Sequence, residues 1–504
     1  MATIKYDNQG DAISREAPGN GTALIDAGGN GSERHYSYAD LLRLSGMVAR
    51  ALQRRGLKRG ERVAILAANR AEYLFTFFGA MQAGFVAVPV NWKLPAETVS
   101  YVVDDSDARL VIGDNARLSL APNTVPKLSF NDDFAKLLAS DHDAEPFRAV
   151  PMQPEEPAMF LYTSGSTGRP KGVVLSHYSH LWVVSQRVRR PGPFGHRVLV
   201  AAPLYHMNGL AMCQTTFSHG DTIVLLPQFT TRSYIEAAAR HRAVQLTSVP
   251  TMIAMMLRER AVLAANDLSA VEGVRMGSAP LTQGLIDQVR SAFPKAQISN
   301  GYGTTEAGPV VFGPHPRGLR QPELSTGYPH PQVELRLIRE GREVEDEGEL
   351  EMKCGGLMTH YHKLPEATAR AITPDGFYRT GDVFRRDADG FFFFVGRVDD
   401  MFVCGGENIY PGEVEKMLER HPGIHQAAVL PVPDEVKGHK PVAFVVRAVD
   451  AVLDEQAVKD YALAHAPAYQ HPRRVFFIDE MPLAGTNKID KRRLAGLMPT
   501  RGDA

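Results

Sequence analysis

The first half of the chain alternates short apolar runs with amphipathic ones, and few architectures accept that pattern. From Tyr38 to Arg55, the residues Leu41, Leu42, Leu44, Met47, Val48, Ala51 and Leu52 fall at helical spacing, and Gly56 ends the run. A short buried strand is predicted at Val63–Leu66, a helix over Glu72–Gln82 closed by Gly84, a strand over Phe85–Val90 ended by Asn91, and another at Leu110–Ile112. Strands apolar on both faces and separated by helices belong to parallel sheets covered on both sides. The pattern resumes after Gln153, with strands predicted at Met159–Tyr162, Arg197–Ala201, Thr222–Leu226 and Leu246–Val249.

The texture changes near Gly327. Val333–Leu337 and Glu349–Lys353 alternate apolar with polar residues, as half-buried strands do. Phe391–Val395 and Met401–Val403 flank a polar joint, Gly396-Arg397-Val398-Asp399-Asp400. Beyond it the pattern predicts a helix from Pro411 to Arg420 and strands near Ala427–Leu430, Val442–Val446 and Val475–Ile478. The expected fold is α/β: a large N-terminal domain of mixed sheets with helices over residues 1–398, and a small α+β C-terminal domain over residues 399–504.

Composition removes several function classes. Lys+Arg number 56 and Asp+Glu 57, a formal net charge of −1, so there is no basic footprint for nucleic acid and no acidic tail. The 3 cysteines, Cys213, Cys354 and Cys404, are too dispersed for a disulfide framework or a CxxC metal site. No apolar run approaches the ~18 residues of a membrane span. The N-terminus lacks the apolar core of a secretory signal, and Arg-Gly-Asp-Ala at the C-terminus is neither a peroxisomal nor a prenylation signal. A cytoplasmic protein, monomer or homodimer, with small-molecule partners is expected.

The densest chemical signal is Thr163-Ser164-Gly165-Ser166-Thr167-Gly168-Arg169-Pro170-Lys171-Gly172, directly after the strand ending at Tyr162. Glycines allow backbone N–H groups to converge on an anion, four hydroxyls add donors, and Lys171 adds charge, which together suit a triphosphate. A flexible surface loop seldom packs these groups so densely behind a buried strand. No Gly-Lys-Ser/Thr closes the loop, so it is not a Walker A motif.

Tyr162–Gly172 resembles the signature loop of the adenylate-forming superfamily of acyl- and aryl-CoA ligases, luciferases and peptide-synthetase adenylation domains. Further stretches resemble that family in order: Pro203-Leu204-Tyr205-His206, Asn300-Gly301-Tyr302-Gly303-Thr304-Thr305-Glu306, Tyr378-Arg379-Thr380-Gly381-Asp382, the joint at 396–400, Gly405-Gly406-Glu407-Asn408-Ile409 and Asn487-Lys488-Ile489. The resemblance implies an ATP-dependent, AMP-forming carboxylic acid–CoA ligase using ATP, Mg²⁺ and coenzyme A. It implies that Thr163 to Gly168 and Lys171 hold phosphates and that Glu306 holds Mg²⁺. Thr305 would reach the α-phosphate, Tyr302 would stack on adenine, and Asp382 would accept from the ribose hydroxyls, with Arg397 in support. Lys488 would neutralise charge as the carboxylate joins phosphorus. Asp399 would be the hinge, and Gly405 and Gly406 would line the path of coenzyme A. Asn487 departs from the glycine common before the family's lysine. Lys437, Lys440, Arg473 and Arg474 are candidates for the phosphates of coenzyme A and are explained equally well as a solvated basic face.

By the same resemblance His206, Met207, Gly277, Gly301, Gly308 and Pro309 line the acyl pocket. The glycines leave width, and no arginine stands immediately before Tyr302, so a flat or extended apolar acid is expected over a small diacid. An aryl or phenylpropenoid acid is the leading expectation. The alternatives are a medium-chain fatty acid, or a stand-alone adenylation enzyme loading a carrier protein. A non-catalytic nucleotide-binding regulator would have lost groups such as Lys488, Glu306 and Asp382, all present here.

Overall fold

The computed structural model describes residues 6–28, 33–139, 145–164, 169–187, 189, 192–279, 281–484 and 488–498. Two seven-stranded sheets form the body of the large domain. One runs, in spatial order, Lys127–Ser129, Ala108–Gly113, Arg62–Leu66, Val86–Pro89, Pro157–Ser164, Pro170–Ser176 and His360–Tyr361. Its first five strands pair in parallel and its last two join antiparallel. The other runs Glu33–Ser37, Thr22–Ala27, Thr222–Leu225, Arg197–Val200, Gln245–Ser248, Gly273–Gly277 and Gln297–Gly301. It is parallel except for its edge hairpin.

Helices fill the space between the sheets. Tyr38–Arg54 begins with a capping box in which Ser37 and Asp40 satisfy each other's backbone donors. Every residue of helix Ala71–Gln82 is buried, as an all-apolar helix requires. Phe77, Phe78 and Phe217 join Val63 and Ile65 of one sheet to Val198 and Ile223 of the other in a single core. Glu72 is the one acid inside this helix, and Arg34 and Arg70 hold it ionised at about 2, hydrogen bonds outweighing burial.

A third sheet of five antiparallel strands, Arg342–Val344, Val333–Arg339, Glu347–Cys354, Tyr378–Arg386 and Phe392–Arg397, carries the aromatic cluster Phe312, Phe384, Phe392 and Phe394 on one face. The small domain follows. Its hairpin Ile424–Asp434 with Gly438–Arg447 is longer than the apolar pattern predicts, because the ends of both strands, around Pro431, Pro433 and Lys440, carry no alternation. Helix Pro411–Leu418 starts with proline at its first turn, where a missing N–H costs nothing. Lys488 stands at the base of a tight hairpin: Ala484 N donates to Lys488 O at 2.8 Å, and Asp490 N to Pro482 O at 2.7 Å.

Candidate active site

Strands Tyr378–Arg386 and Phe392–Arg397 set Asp382 directly opposite Arg397. Gly381, just before the buried Asp382, takes a left-handed φ of 69°, which suits glycine. Asp382 Oδ1 accepts from Arg397 Nη1 at 3.0 Å and its Oδ2 from Tyr302 Oη at 2.6 Å. Burial raises the Asp382 pKa, and Arg397, Tyr302 and Lys488 pull it back. The Tyr302 ring lies edge-on to Phe384 at 4.8 Å and tilted to Phe312 at 5.8 Å. Its hydroxyl thus anchors the aspartate, a contact that sequence alone did not indicate.

Glu306 is buried, and Tyr361 Oη donates to its Oε1 at 2.9 Å. Its backbone carbonyl accepts from Met358 N at 2.6 Å, which ties the loop to the first sheet. No lysine or arginine pairs with Glu306 among the described residues, and burial raises its pKa. No cluster of three or more metal-ligating side chains occurs among the described residues. One buried carboxylate without a cation is nonetheless the donor set that suits Mg²⁺, which keeps several waters and takes its other oxygens from substrate phosphates. Thr305, next to Glu306, is half-buried. Tyr361 also faces Lys171, whose ammonium is 5.2 Å from its ring centroid, so one tyrosine links the phosphate-loop lysine to the acid. Thr163 pairs across the hairpin with Lys171. The loop between them, Gly165, Ser166, Thr167 and Gly168, lies outside the described residues, as do Asn487 and the side chain of Ser164.

Lys488 keeps solvent access along its chain while protein crowds its ammonium. The crowding lowers its pKa, Asp382 opposes the shift, and Arg397 adds to it. Lys488 also helps depress His206, whose pKa burial drives down to about 4. A lysine of the small domain therefore faces groups of the large one. His206 stands at the N-terminus of helix Met207–Ser218 without capping it, and its Nε2 is buried with no partner. Met207 is buried in the main core.

The glycines of the acyl region are places of close approach. Gly277 pairs with Gly301 across two parallel strands, and a β-carbon on Gly277 would stand 2.8 Å from Gly301 O. Gly308 has φ 73°, and a β-carbon there would meet Val183 Cγ2 at 2.8 Å. Pro309 O accepts from Arg187 Nη2 at 3.1 Å. The space beside Gly301 is not empty: a β-carbon there would stand 2.7 Å from Arg275 Nη2. The width expected at Gly301 is thus taken by a guanidinium reaching in from the neighbouring strand. Looking only at the residue before Tyr302 missed it. The available signal was a charged residue inside the otherwise apolar strand Gly273–Gly277. Tyr361 was missed as well, and it sits in a two-residue strand with no local signature.

Gly405 and Gly406 form the turn between Phe402–Cys404 and Glu407–Ile409 with φ of 63° and 92°. No contact brings them to the Asp382 cluster. Asp399 is exposed, with its Oδ2 3.9 Å from Arg397 Nη2. Of the basic candidates, Lys440 pairs with Asp434 and Arg473 with His471, while Arg474 lies over Phe476.

Two α/β sheets, an antiparallel third and a small domain that presents a lysine to an Asp–Arg–Tyr cluster define an adenylate-forming enzyme. The chain belongs to the AMP-binding enzyme family: residues 12–362 match the AMP-binding enzyme model and residues 413–488 that of the AMP-binding enzyme C-terminal domain. It is 32% identical over 483 residues to a fatty acid–[acyl-carrier-protein] ligase of Streptomyces coeruleorubidus, covering 92% of this chain and 91% of that one. It is 33% identical over 463 residues to a feruloyl-CoA synthase of Amycolatopsis sp, covering 90% and 92%. The crystal structure of the anthranilate CoA ligase AuaEII in complex with anthranoyl-AMP superposes with a TM-score of 0.87 at 25% identity, covering 97% of each chain. The expectations of an adenylate-forming fold and of an AMP-forming acid–thiol ligase stand. No helix among the described residues is long and apolar enough to cross a membrane.

Proposed function

We propose that this protein is a cytoplasmic ATP-dependent ligase that joins an aryl or phenylpropenoid acid to coenzyme A. The observation that carries the reading is the buried Asp382 carboxylate held by Arg397 Nη1 at 3.0 Å and Tyr302 Oη at 2.6 Å, with the charge of Lys488, from the small domain, acting on it. In the first half-reaction a carboxylate oxygen attacks the α-phosphorus of ATP, the bond to the bridging oxygen breaks, and pyrophosphate leaves. Both reactants are anions, so positioning and cations supply the catalysis. Lys488 neutralises the charge that builds at the α-phosphate. Asp382, already oriented by Tyr302 and Arg397, has lone pairs left for the ribose hydroxyls. Thr163 to Gly168 and Lys171 hold the β- and γ-phosphates. Glu306 would hold Mg²⁺, which when bound offsets phosphate charge, and Thr305 donates to the α-phosphate. His206, neutral because its pKa is about 4, has a free Nε2 to orient the acid.

In the second half-reaction the thiol sulfur of coenzyme A attacks the acyl carbonyl, the carbon–oxygen bond to phosphate breaks, and AMP leaves. The small domain, residues 399–504, turns about Asp399, which withdraws Lys488 and brings Gly405 and Gly406 to the thiol arm. A hinge needs only a few residues that absorb φ/ψ change, and the exposed Asp399 can do so. The aryl preference is supported by relatives named as a feruloyl-CoA synthase and an anthranilate CoA ligase.

The test is an incubation with ATP, Mg²⁺ and a panel of acids, with and without coenzyme A. Acid-dependent exchange of pyrophosphate without coenzyme A, and net AMP release only with it, are expected. Nucleotide binding without either would make the protein a regulator. Release that demands a carrier protein instead would make it a carrier-loading enzyme.

A further inference from the structure

Two guanidiniums in the acyl region have no acid to face among the described residues. Arg275 projects from strand Gly273–Gly277 so that its Nη2 and Cζ would lie 2.7 and 2.8 Å from a β-carbon on Gly301. Arg187, just past helix His177–Ser185, spends one Nη2 hydrogen bond on Pro309 O, and its Nε is buried with no partner. Burial lowers the pKa of both, that of Arg187 to about 9, and the like charge of Arg275 lowers Arg187 further. His330, half-buried and lowered by burial and then by Arg187, adds no negative charge.

Several other arginines of the chain do meet acids. Arg34 meets Asp26 and Glu72, Arg336 meets Glu351 and Asp375, and Arg397 meets Asp382. A desolvated cation without a partner is costly to the folded state, and two like charges together more so. The cost disappears when an anion arrives that accepts the forked donors of both groups, as a carboxylate or sulfonate can. These arginines flank Gly301 and Pro309, two of the residues assigned to the acid substrate.

We propose that the acid this enzyme activates carries a second anionic group, a carboxylate or sulfonate, held between Arg275 and Arg187. The inference rests on the ligase reading above and narrows its substrate to a doubly charged acid. An aromatic frame remains compatible, since a guanidinium also stacks on an aromatic face.

The test compares matched acids: benzoate with terephthalate and 4-sulfobenzoate, cinnamate with 4-carboxycinnamate, hexanoate with adipate. Pyrophosphate exchange gives kcat/KM, and calorimetry in the presence of ATP gives Kd without needing turnover. In at least one pair the doubly charged acid should be preferred at least tenfold. Arg275→Met should cut that preference roughly 10- to 150-fold, the worth of charged hydrogen bonds, and mainly through KM. Arg187→Met should act in the same direction, and Arg275→Lys should retain part of the preference. The ligand-free Arg275→Met protein should also melt higher than wild type, because a partnerless cation is gone; this and the lysine variant guard against a folding defect. The carboxylate and sulfonate arms identify which anion is used. Equal or better use of every singly charged acid, or a preference untouched by both methionine variants, would overturn the proposal while leaving the ligase intact. Binding of a doubly charged acid that needs Arg275, with no exchange or AMP release, would keep the anion site and overturn the ligase reading. If no doubly charged acid binds, the anion site is wrong.

Discussion

The nucleotide cluster and the acyl wall treat charge in opposite ways. The Asp382 carboxylate is already satisfied inside the protein: Arg397 and Tyr302 occupy both its oxygens, and Lys488 adds a second positive field. Around Gly301 two guanidiniums have no acid beside them among the described residues. A site whose charges are already paired is rigid before ligand arrives and discriminates by shape and hydrogen bonding. An unpaired site stores an unfavourable interaction that a ligand can relieve, so it discriminates by charge. ATP is common to the family's reaction, whereas the acid distinguishes one enzyme from another, and the asymmetry follows that division.

The largest expected effect breaks the paired side. Lys488→Ala removes a charge poised at the forming bond, and loss of one such preorganised group costs roughly 10²–10³-fold. Acid-dependent pyrophosphate exchange should fall by at least that factor. Thioester formation from a supplied acyl-adenylate and coenzyme A should proceed at close to the wild-type rate if the small domain turns as proposed and withdraws the lysine. Equal damage to both half-reactions would make Lys488 structural.

Asp382→Asn comes next. The amide keeps the shape, and with its nitrogen toward Tyr302 Oη, which can turn to accept, its oxygen still faces Arg397; what is lost is the negative charge opposite the guanidinium. Loss of a charged hydrogen bond is worth about 1.5–3 kcal/mol, and Arg397 is exposed enough for water to soften the loss. KM for ATP should rise roughly 10-fold, with KM for the acid unchanged. A change confined to the acid would mean that Asp382 does not serve the nucleotide.

On the unpaired side, Gly301→Ala should be milder. The new methyl would meet the movable end of Arg275 rather than backbone, so the guanidinium can shift at about 1 kcal/mol, roughly fivefold. That loss should appear in KM for the acid and leave KM for ATP alone. A loss in ATP binding would show that Gly301 serves backbone shape next to Tyr302.

The contrast between the two regions also marks what sequence could disclose. Buried parallel strands such as Arg62–Leu66 and Thr222–Leu225 announce themselves because both faces must be apolar. Lys488 among Lys491, Arg492 and Arg493 reads on composition alone as a solvated face, and only its place in an ordered series of motifs singles it out. Tyr361 reaches Glu306 because His360–Tyr361 pairs with Val173 and Val174, a partnership across far more chain than local periodicity covers. Arg275 was visible as a charge within an apolar strand, but what it faces depends on the register of Gly273–Gly277 against Gln297–Gly301.

The smallest effect concerns how the two domains meet. Glu419 of the small domain is crowded against Thr282 of the large one, and its Oε1 accepts from Ala427 N at 2.9 Å. Burial pushes its carboxyl up to about 8; Glu415 adds to the rise, while Ala427, Thr282 and Lys416 oppose it. A raised carboxyl favours the protonated form, so this domain arrangement is most stable below the ordinary value of 4.5 and loses ground as pH rises toward about 8. His206 works in the opposite sense: its lowered pKa weakens the arrangement only as pH falls from 6.5 toward about 4. Between pH 6.5 and 8 the two do not overlap, and Glu419 still titrates there. Across that window the fraction of molecules in this arrangement, followed by a fluorophore pair on the two domains, should decline with pH. The decline should be less than the tenfold per unit that one proton allows, because Glu419 stays partly covered by its own domain when the two part. Glu419→Gln keeps a polar group of the same size without a titrating proton and should flatten the profile. An unchanged slope in that variant would assign the pH dependence to another group and leave the paired nucleotide cluster as the main tie between the domains.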